Sequence, residues 1–269
     1  MVEWQRRSVS ARAGAFARKA LAVVTLIAIM AMAAPWLILP DRSRARRRLS
    51  IAAWRLLLGG FGVRVSTFGQ PVPEAGIYAA NHVSWLDIAV LGRHLDAGFV
   101  AKAQVARWPV IGLLASRYGC AFVDRERRGS VAGQASTLRA RIDGCRPVIL
   151  FPEATTGPGH GVLPFRSSLF AAVGEGVGAM VQPVAIVYRR LDGMALSPAE
   201  MRRVAWLDDD ALLPHALAIA AAGGVAAEIH FEAPVAAGCR KAVARHCQQV
   251  IAARLAGAAQ PCATANRAA

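Results

Sequence analysis

Acidic side chains are scarce in this chain. Only 17 Asp and Glu stand against 32 Lys and Arg over 269 residues, for a formal charge of +15. Such an excess would suit nucleic acid, whose phosphates attract basic patches. No recognised nucleic-acid-binding motif accompanies it, and the charge is concentrated. Ten basic residues, Arg6, Arg7, Arg12, Arg18, Lys19, Arg42, Arg44, Arg46, Arg47 and Arg48, fall within residues 1–48 against Glu3 and Asp41. Nucleic acid is therefore not an expected partner. Cysteines are few and odd in number (Cys120, Cys145, Cys239, Cys247 and Cys262), with no CxxC spacing. That excludes a disulfide framework or a cysteine zinc site and suggests reduced thiols in a cytosol-facing protein. No HxxxH or HExxH pattern is present, so no metal is expected on His82, His94 or His160. Internal repeats are absent as well.

Apolar residues are abundant instead: 55% of the chain, with a mean hydropathy of +0.36. They include one long uncharged run, Ala20 to Leu39, in which Thr25 is the clearly polar side chain. As a helix it would rise roughly 30 Å, enough to cross a bilayer core. Three arrangements fit. A cleaved signal peptide fits least, because its apolar core spans only about 7–15 residues. A single transmembrane anchor is the second. The third is monotopic: basic residues flank both ends, so the positive-inside rule gives no orientation. In that case the run bends or re-enters at Pro35, and Ile51–Val63 forms a second interfacial helix with Trp36 and Trp54 at headgroup level.

Beyond Val63, short apolar runs alternate with helical stretches. Strands are expected at Val63–Phe68, Ile77–Ala80, Gly98–Ala101, Ala121–Val123, Val148–Phe151, Met180–Tyr188 and Ala227–Phe231. Helices are expected at Trp85–Leu95, Val110–Ser116, Val131–Asp143, Ser168–Glu175 and Cys239–Leu255. The alternation predicts an α/β domain with a mostly parallel sheet flanked by helices. It divides the chain into an N-terminal membrane-anchoring segment (1–62), the α/β domain (63–257) and a frayed tail (258–269).

The chemistry centres on Asn81-His82-Val83-Ser84-Trp85-Leu86-Asp87, at the mouth of a strand-to-helix turn. There Asp87 can fold back onto the imidazole, leaving the second ring nitrogen able to take a proton from a hydroxyl. No protein nucleophile is obvious beside it, so the substrate is expected to bring the nucleophile. Arg125 projects from the end of Gly119-Cys120-Ala121-Phe122-Val123-Asp124-Arg125, where a guanidinium suits an anionic ligand. Glu153, Thr155 and Thr156 lie in Phe151-Pro152-Glu153-Ala154-Thr155-Thr156, a polar loop after an apolar strand. Arg166 adds a downstream cation.

NHVSWLD, GCAFVDR, FPEATT and VQPVAIVY occur in the order and spacing of the four blocks of the glycerolipid acyltransferases, of the lysophosphatidic-acid acyltransferase type. The resemblance covers roughly residues 60–235, and Lys102 in FVAKAQVARWPVIG fits the stretch between the first two blocks. It implies an acyltransferase-like α/β fold with an N-terminal membrane motif in the bacterial inner membrane, facing the cytoplasm. The implied reaction moves an acyl chain from an acyl-carrier-protein or CoA thioester to a lysolipid hydroxyl, without cofactor or metal. The catalytic pair falls on His82 and Asp87, and acceptor positions fall on Arg125, Glu153 and Thr155. Asn81, Ser84, Lys102, Thr156 and Arg166 complete the expected substrate-binding set.

Two departures stand out. Ala154 occupies a position usually held by Gly, where a methyl would be strained if φ is positive. Thr156 stands where enzymes acting on lysophosphatidic acid usually have Arg, so a phosphomonoester acceptor loses its natural partner. ATTGPGHGVLPFRSSLF, VQPVAIVYRRLDGM and AWLDDDALLPH are similar to the lyso-ornithine lipid acyltransferases, in which Asp208, Asp209 and Asp210 would suit a cationic headgroup. Transfer to the 3-hydroxyl of lyso-ornithine lipid is thus the expected activity. Acylation of 1-acylglycerol-3-phosphate, or a catalytically inactive membrane scaffold of the same fold, are the alternatives.

Overall fold

The computed structural model describes residues 2–41, 43–123, 147–173, 179–207 and 210–259. Two helices lead, α1 (Val2–Ile38) and α2 (Arg44–Gly60). α1 reaches well beyond the N-terminal boundary of the uncharged run, and the helix does not break at Pro35. The proline removes one hydrogen bond near the helix end, Leu39 N still donates to Pro35 O, and the reversal comes at Pro40–Ser43. There Ser43 caps α2 by accepting from Arg46 N at 3.1 Å. Of the expected interfacial helix Ile51–Val63, the part up to Gly60 is the later portion of this longer helix, whereas Val63 already opens the first strand.

Then come β1 (Val63–Phe68), β2 (Ala75–Ala80), α3 (Leu86–Gly92), β3 (Gly98–Lys102), α4 (Ile111–Tyr118), β4 (Ala121–Val123) and β5 (Val148–Leu150). The second half adds β6 (Met180–Arg189), α5 (Pro198–Val204), α6 (Leu212–Ala222), β7 (Val225–Phe231), β8 (Val235–Ala236) and α7 (Arg240–Ala259). The expected Val131–Asp143 helix lies outside the described residues. Ser168–Glu175 was expected as an α-helix; a 3₁₀ turn, Ser167–Val173, occupies its described part.

The sheet order is β1-β7-β6-β2-β5-β3-β4, with β8 on β6. β2 to β6 run parallel, whereas β7 is antiparallel to β6 and β1 is parallel to β7. β2 is buried throughout, as a central parallel strand covered on both faces must be. One face packs residues of α2, α3 and α6 with Ala22 of α1 (Leu57, Leu58, Leu86, Val90, Ile219); the other packs Phe170, Val243 and Cys247. Ala22, Leu57 and Leu58 thus belong to the same core as the sheet residues.

The topology fixes where chemistry can occur. In open α/β sheets, ligands bind outside the carboxyl ends of the strands. His82 follows β2, Lys102 ends β3 and Glu153 follows β5, all at that edge. Because β1 and β7 run the other way, the C-terminal end of α2 arrives at the same edge, where Phe61 meets Trp85 edge-on at 5.3 Å.

Candidate active site

Asp87 lies in the first turn of α3, five residues after His82, and is fully buried. Its Oδ2 faces His82 Nδ1 at 2.8 Å and accepts from Val83 N at 2.7 Å and Ser84 N at 2.9 Å. Its Oδ1 accepts from the Tyr188 hydroxyl at 2.6 Å. Four donors around one carboxylate satisfy a charge that burial would otherwise penalise heavily. Burial and the Asp87 charge together push the Tyr188 hydroxyl well above its ordinary pKa, which keeps it a donor. The carboxylate demands a proton on Nδ1 of His82, so Nε2 is the acceptor nitrogen.

The ring is fixed from other sides as well. His82 stacks on Phe151 with centroids 4.0 Å apart and planes 13° from parallel. Its main chain is clamped to the loop after β5: His82 N donates to Glu153 Oε1 at 2.7 Å, and His82 O accepts from Gly157 N at 2.7 Å. The side chain remains 16% exposed, enough for a reacting group to approach. This arrangement can pull a proton from a hydroxyl and return it to a leaving group.

Several expected substrate contacts turn out to hold the frame. Asn81 is fully buried; its Nδ2 donates to Ile186 O at 3.0 Å and its Oδ1 accepts from Ile186 N at 2.7 Å, pinning the end of β2 to β6. Ser84 is fully buried too, so neither side chain is open to a substrate. Glu153 is buried, with Oε1 on His82 N and Oε2 on Leu163 N at 2.8 Å. Burial drives its carboxyl up to about 7, against the two amides that pull it down. Thr156 donates its hydroxyl to Trp206 O, while Trp206 N donates to Val83 O at 2.9 Å. The loop after α5 is thereby stitched to the catalytic turn.

Thr155 is half-buried in the same loop, and Lys102 and Arg166 are exposed. Arg125 lies outside the described residues, as do Asp208 and Asp209. Asp210 faces away from a headgroup role, because Arg202 grips both its oxygens at 2.9 and 3.0 Å. Two backbone amides of the loop at 151–157 are already committed: Ala154 N donates to Phe151 O and Gly157 N to His82 O. Ala154 sits at φ 65°, the region that favours glycine.

Tyr188 and Phe151 are the functional side chains that sequence reasoning missed, although both lie in blocks it singled out. Their signal was available only as apolar strand residues next to polar loops.

The family model "Acyltransferase" matches residues 64–187. The lyso-ornithine lipid O-acyltransferase of Brucella abortus (strain 2308) is 37% identical over 237 residues, covering 84% of this chain and 89% of that protein. The Rhizobium meliloti (strain 1021) protein of the same description is 36% identical over 203 residues, covering 73% and 68%. A 1-acyl-sn-glycerol-3-phosphate acyltransferase of Neisseria gonorrhoeae is 33% identical over 148 residues, covering 54% and 57%. Among solved structures, the 1-acyl-sn-glycerophosphate acyltransferase of Thermotoga maritima matches with a TM-score of 0.61 at 18% identity, covering 92% of this chain and 97% of that one. At that identity the structural match speaks for the fold.

Proposed function

Because the chain belongs to the acyltransferase family, we propose that it transfers a fatty acyl chain from an acyl-carrier-protein or CoA thioester to the 3-hydroxyl of lyso-ornithine lipid. The observation that carries the mechanism is the His82–Asp87 pair, set by Tyr188 and Phe151 at the carboxyl edge of the sheet. His82 Nε2 takes the proton of the acceptor hydroxyl as its oxygen attacks the thioester carbonyl. The tetrahedral oxyanion collapses, the C–S bond breaks, and the thiolate recovers the proton from Nε2. Asp87 stabilises the imidazolium in between. The cycle closes with proton transfers alone, and no acyl-enzyme is needed.

Two things favour a lyso-ornithine acceptor over 1-acylglycerol-3-phosphate. Relatives matched over more than two thirds of both chains carry that description, and Thr156 replaces a phosphate-binding arginine with a hydroxyl spent on Trp206.

The enzyme works at a membrane surface in this reading. α1 is long and apolar enough to cross a bilayer, but its apolar run is tied to the globular domain at both ends. Arg18 donates to Ala221 O at 2.8 and 3.2 Å, and Arg117 donates to Leu37 O at 3.0 Å. Between them a methyl at Gly60 would overlap Thr25, so the two helices pack without a gap. A helix laid along its own catalytic domain supports monotopic insertion, which we assign to the cytoplasmic face of the inner membrane. Flanking arginines there add about 1 kcal/mol each of attraction to anionic lipid.

The deciding assay offers purified enzyme an acyl-carrier-protein thioester with lyso-ornithine lipid and lysophosphatidic acid in parallel, beside His82→Ala. Turnover on lyso-ornithine lipid that disappears in the variant is expected. Equal turnover by the variant would sink the mechanism, and preference for lysophosphatidic acid would sink the acceptor.

A further inference from the structure

The corner between β3 and α4 has no part in the chemistry above, yet it concentrates apolar surface. Trp108, Val110, Ile111 and Leu113 are 42%, 50%, 43% and 56% exposed, four large apolar side chains within six residues. Exposed apolar clusters of this kind mark interaction surfaces.

The corner is built to hold them out. Ile111 N donates to Pro109 O at 2.6 Å, closing a γ-turn on Val110, whose φ is 62° and ψ −54°. A β-branched residue adopts that region only under strain, and strain persists where the surroundings fix it. They do so here. Trp108 N donates to Val105 O, Gly112 N to Trp108 O, and Leu114 N to Val110 O. Gly112 is pressed so closely on the Ala106 carbonyl that a methyl would overlap it.

Position and charge indicate what covers the corner. It follows β3 at the edge where His82 sits, and α4 then runs back to meet the end of α1. There Arg117 donates to Leu37 O and Trp36 stacks on Tyr118 at 6.4 Å. α1, whose last turn α4 meets, exposes apolar residues of its own, Leu21, Val24 and Ile27 among them, and is already read as lipid-facing. Lys102, Arg107 and Arg117 flank it, and no acidic residue occurs between 98 and 123. Exposed tryptophan beside arginine is the composition of a bilayer interface.

We infer that the 108–113 corner is a second membrane contact, separate from α1, which enters the interface of an anionic bilayer beside the catalytic edge. Together with α1 it holds that edge against the lipid, so an acceptor moves from the bilayer to His82 without crossing water. The inference rests on the reading of this enzyme as one that works at a membrane. It does not depend on which lysolipid is acylated. An acidic acyl carrier protein is the competing occupant, but four large apolar groups suit acyl chains better than an acidic protein surface.

The test uses the full-length protein on vesicles of phosphatidylethanolamine and phosphatidylglycerol whose acyl chains carry bromine. Tryptophan emission should be quenched more in the wild type than in Trp108→Phe, a readout that needs no turnover. A Trp108→Glu, Ile111→Glu variant should lose about tenfold in vesicle partitioning while keeping its turnover on detergent-dispersed substrate within about twofold. Quenching identical in wild type and Trp108→Phe overturns the inference, as does unchanged partitioning of the double variant. Shielding of Trp108 by acyl carrier protein but not by brominated lipid would reassign the corner to the donor.

Discussion

The Tyr188 hydroxyl, on β6 beside β2 and 101 residues away in sequence, reaches Asp87 Oδ1 at 2.6 Å. It leaves Oδ2 entirely to the His82 ring and the amides of the turn. The tyrosine is therefore a positioning residue, acting on the substrate through Asp87 and His82.

Tyr188→Phe removes one donor from a buried carboxylate. A hydrogen bond to a charged group contributes about 1.5–3 kcal/mol, so kcat should fall by roughly tenfold to a hundredfold with KM nearly unchanged. Asp87→Asn should be worse, by about a thousandfold or more, because the amide favours the wrong tautomer of the ring. Steady-state kinetics on both variants check the order. A tyrosine variant that raised KM alone would point to substrate contact instead.

Glu153 makes stability pH-dependent. Its carboxyl stands at about 7 in the folded protein against an ordinary 4.5, chiefly through burial. The folded state therefore holds the proton more tightly than the unfolded chain. The contribution is complete below pH 4.5 and is lost as pH rises through about 7. Glu153→Gln removes this slope. Melting temperatures of the variant and the wild type should run in parallel above pH 7, diverge between about pH 7 and 4.5 as the wild type gains on acidification, and run in parallel again below. Parallel curves throughout would show that the carboxyl is ordinary.

Ala154 should tolerate glycine and refuse valine. Its φ of 65° costs about 1–2 kcal/mol for a residue with a Cβ. Glycine relieves that strain, but gives up a buried methyl worth about 0.8 kcal/mol and adds backbone entropy to the unfolded chain. The terms nearly cancel, so Ala154→Gly should shift stability by less than about 1 kcal/mol. Ala154→Val adds branching at positive φ in a loop whose Glu153 clamps His82, and should reduce both the melting temperature and turnover. Chemical denaturation beside activity separates the two variants.

A tag at residue 1 should lie on the same side of the membrane as the catalytic domain. Protease added to sealed inside-out vesicles should remove it, and protease added to right-side-out vesicles should not. Opposite sidedness of tag and domain would mean that α1 crosses the bilayer.

His82 and Asp87 were legible because their pairing is local: five residues and one turn suffice to close it. Tyr188 was not, because its partner is reached only after β6 takes its place beside β2. Asn81 and Glu153 drew attention as polar groups in a reactive stretch, where substrate contact is the first task that suggests itself. Both satisfy main-chain groups that burial would orphan, an obligation set by neighbouring strands and invisible in a linear pattern. Ala154 went the other way, since a residue type alone raised the question of positive φ and the backbone answered it. The helices at Pro198–Val204 and Leu212–Ala222 were missed. The first is short, and the second is apolar nearly all round and so lacks the periodicity that marks a helix. The mostly parallel sheet followed from alternation, but the reversed direction of β1 and β7 has no local signature.

Phe61, at the end of α2, sits almost wholly inside the core and against Trp85 of the catalytic turn, while Ala22 of α1 fills the same interior. Trimming the chain to liberate a water-soluble enzyme would therefore open a hole in the fold itself. A chain cut after the second helix should lose the packing beneath Trp85 along with the helices themselves.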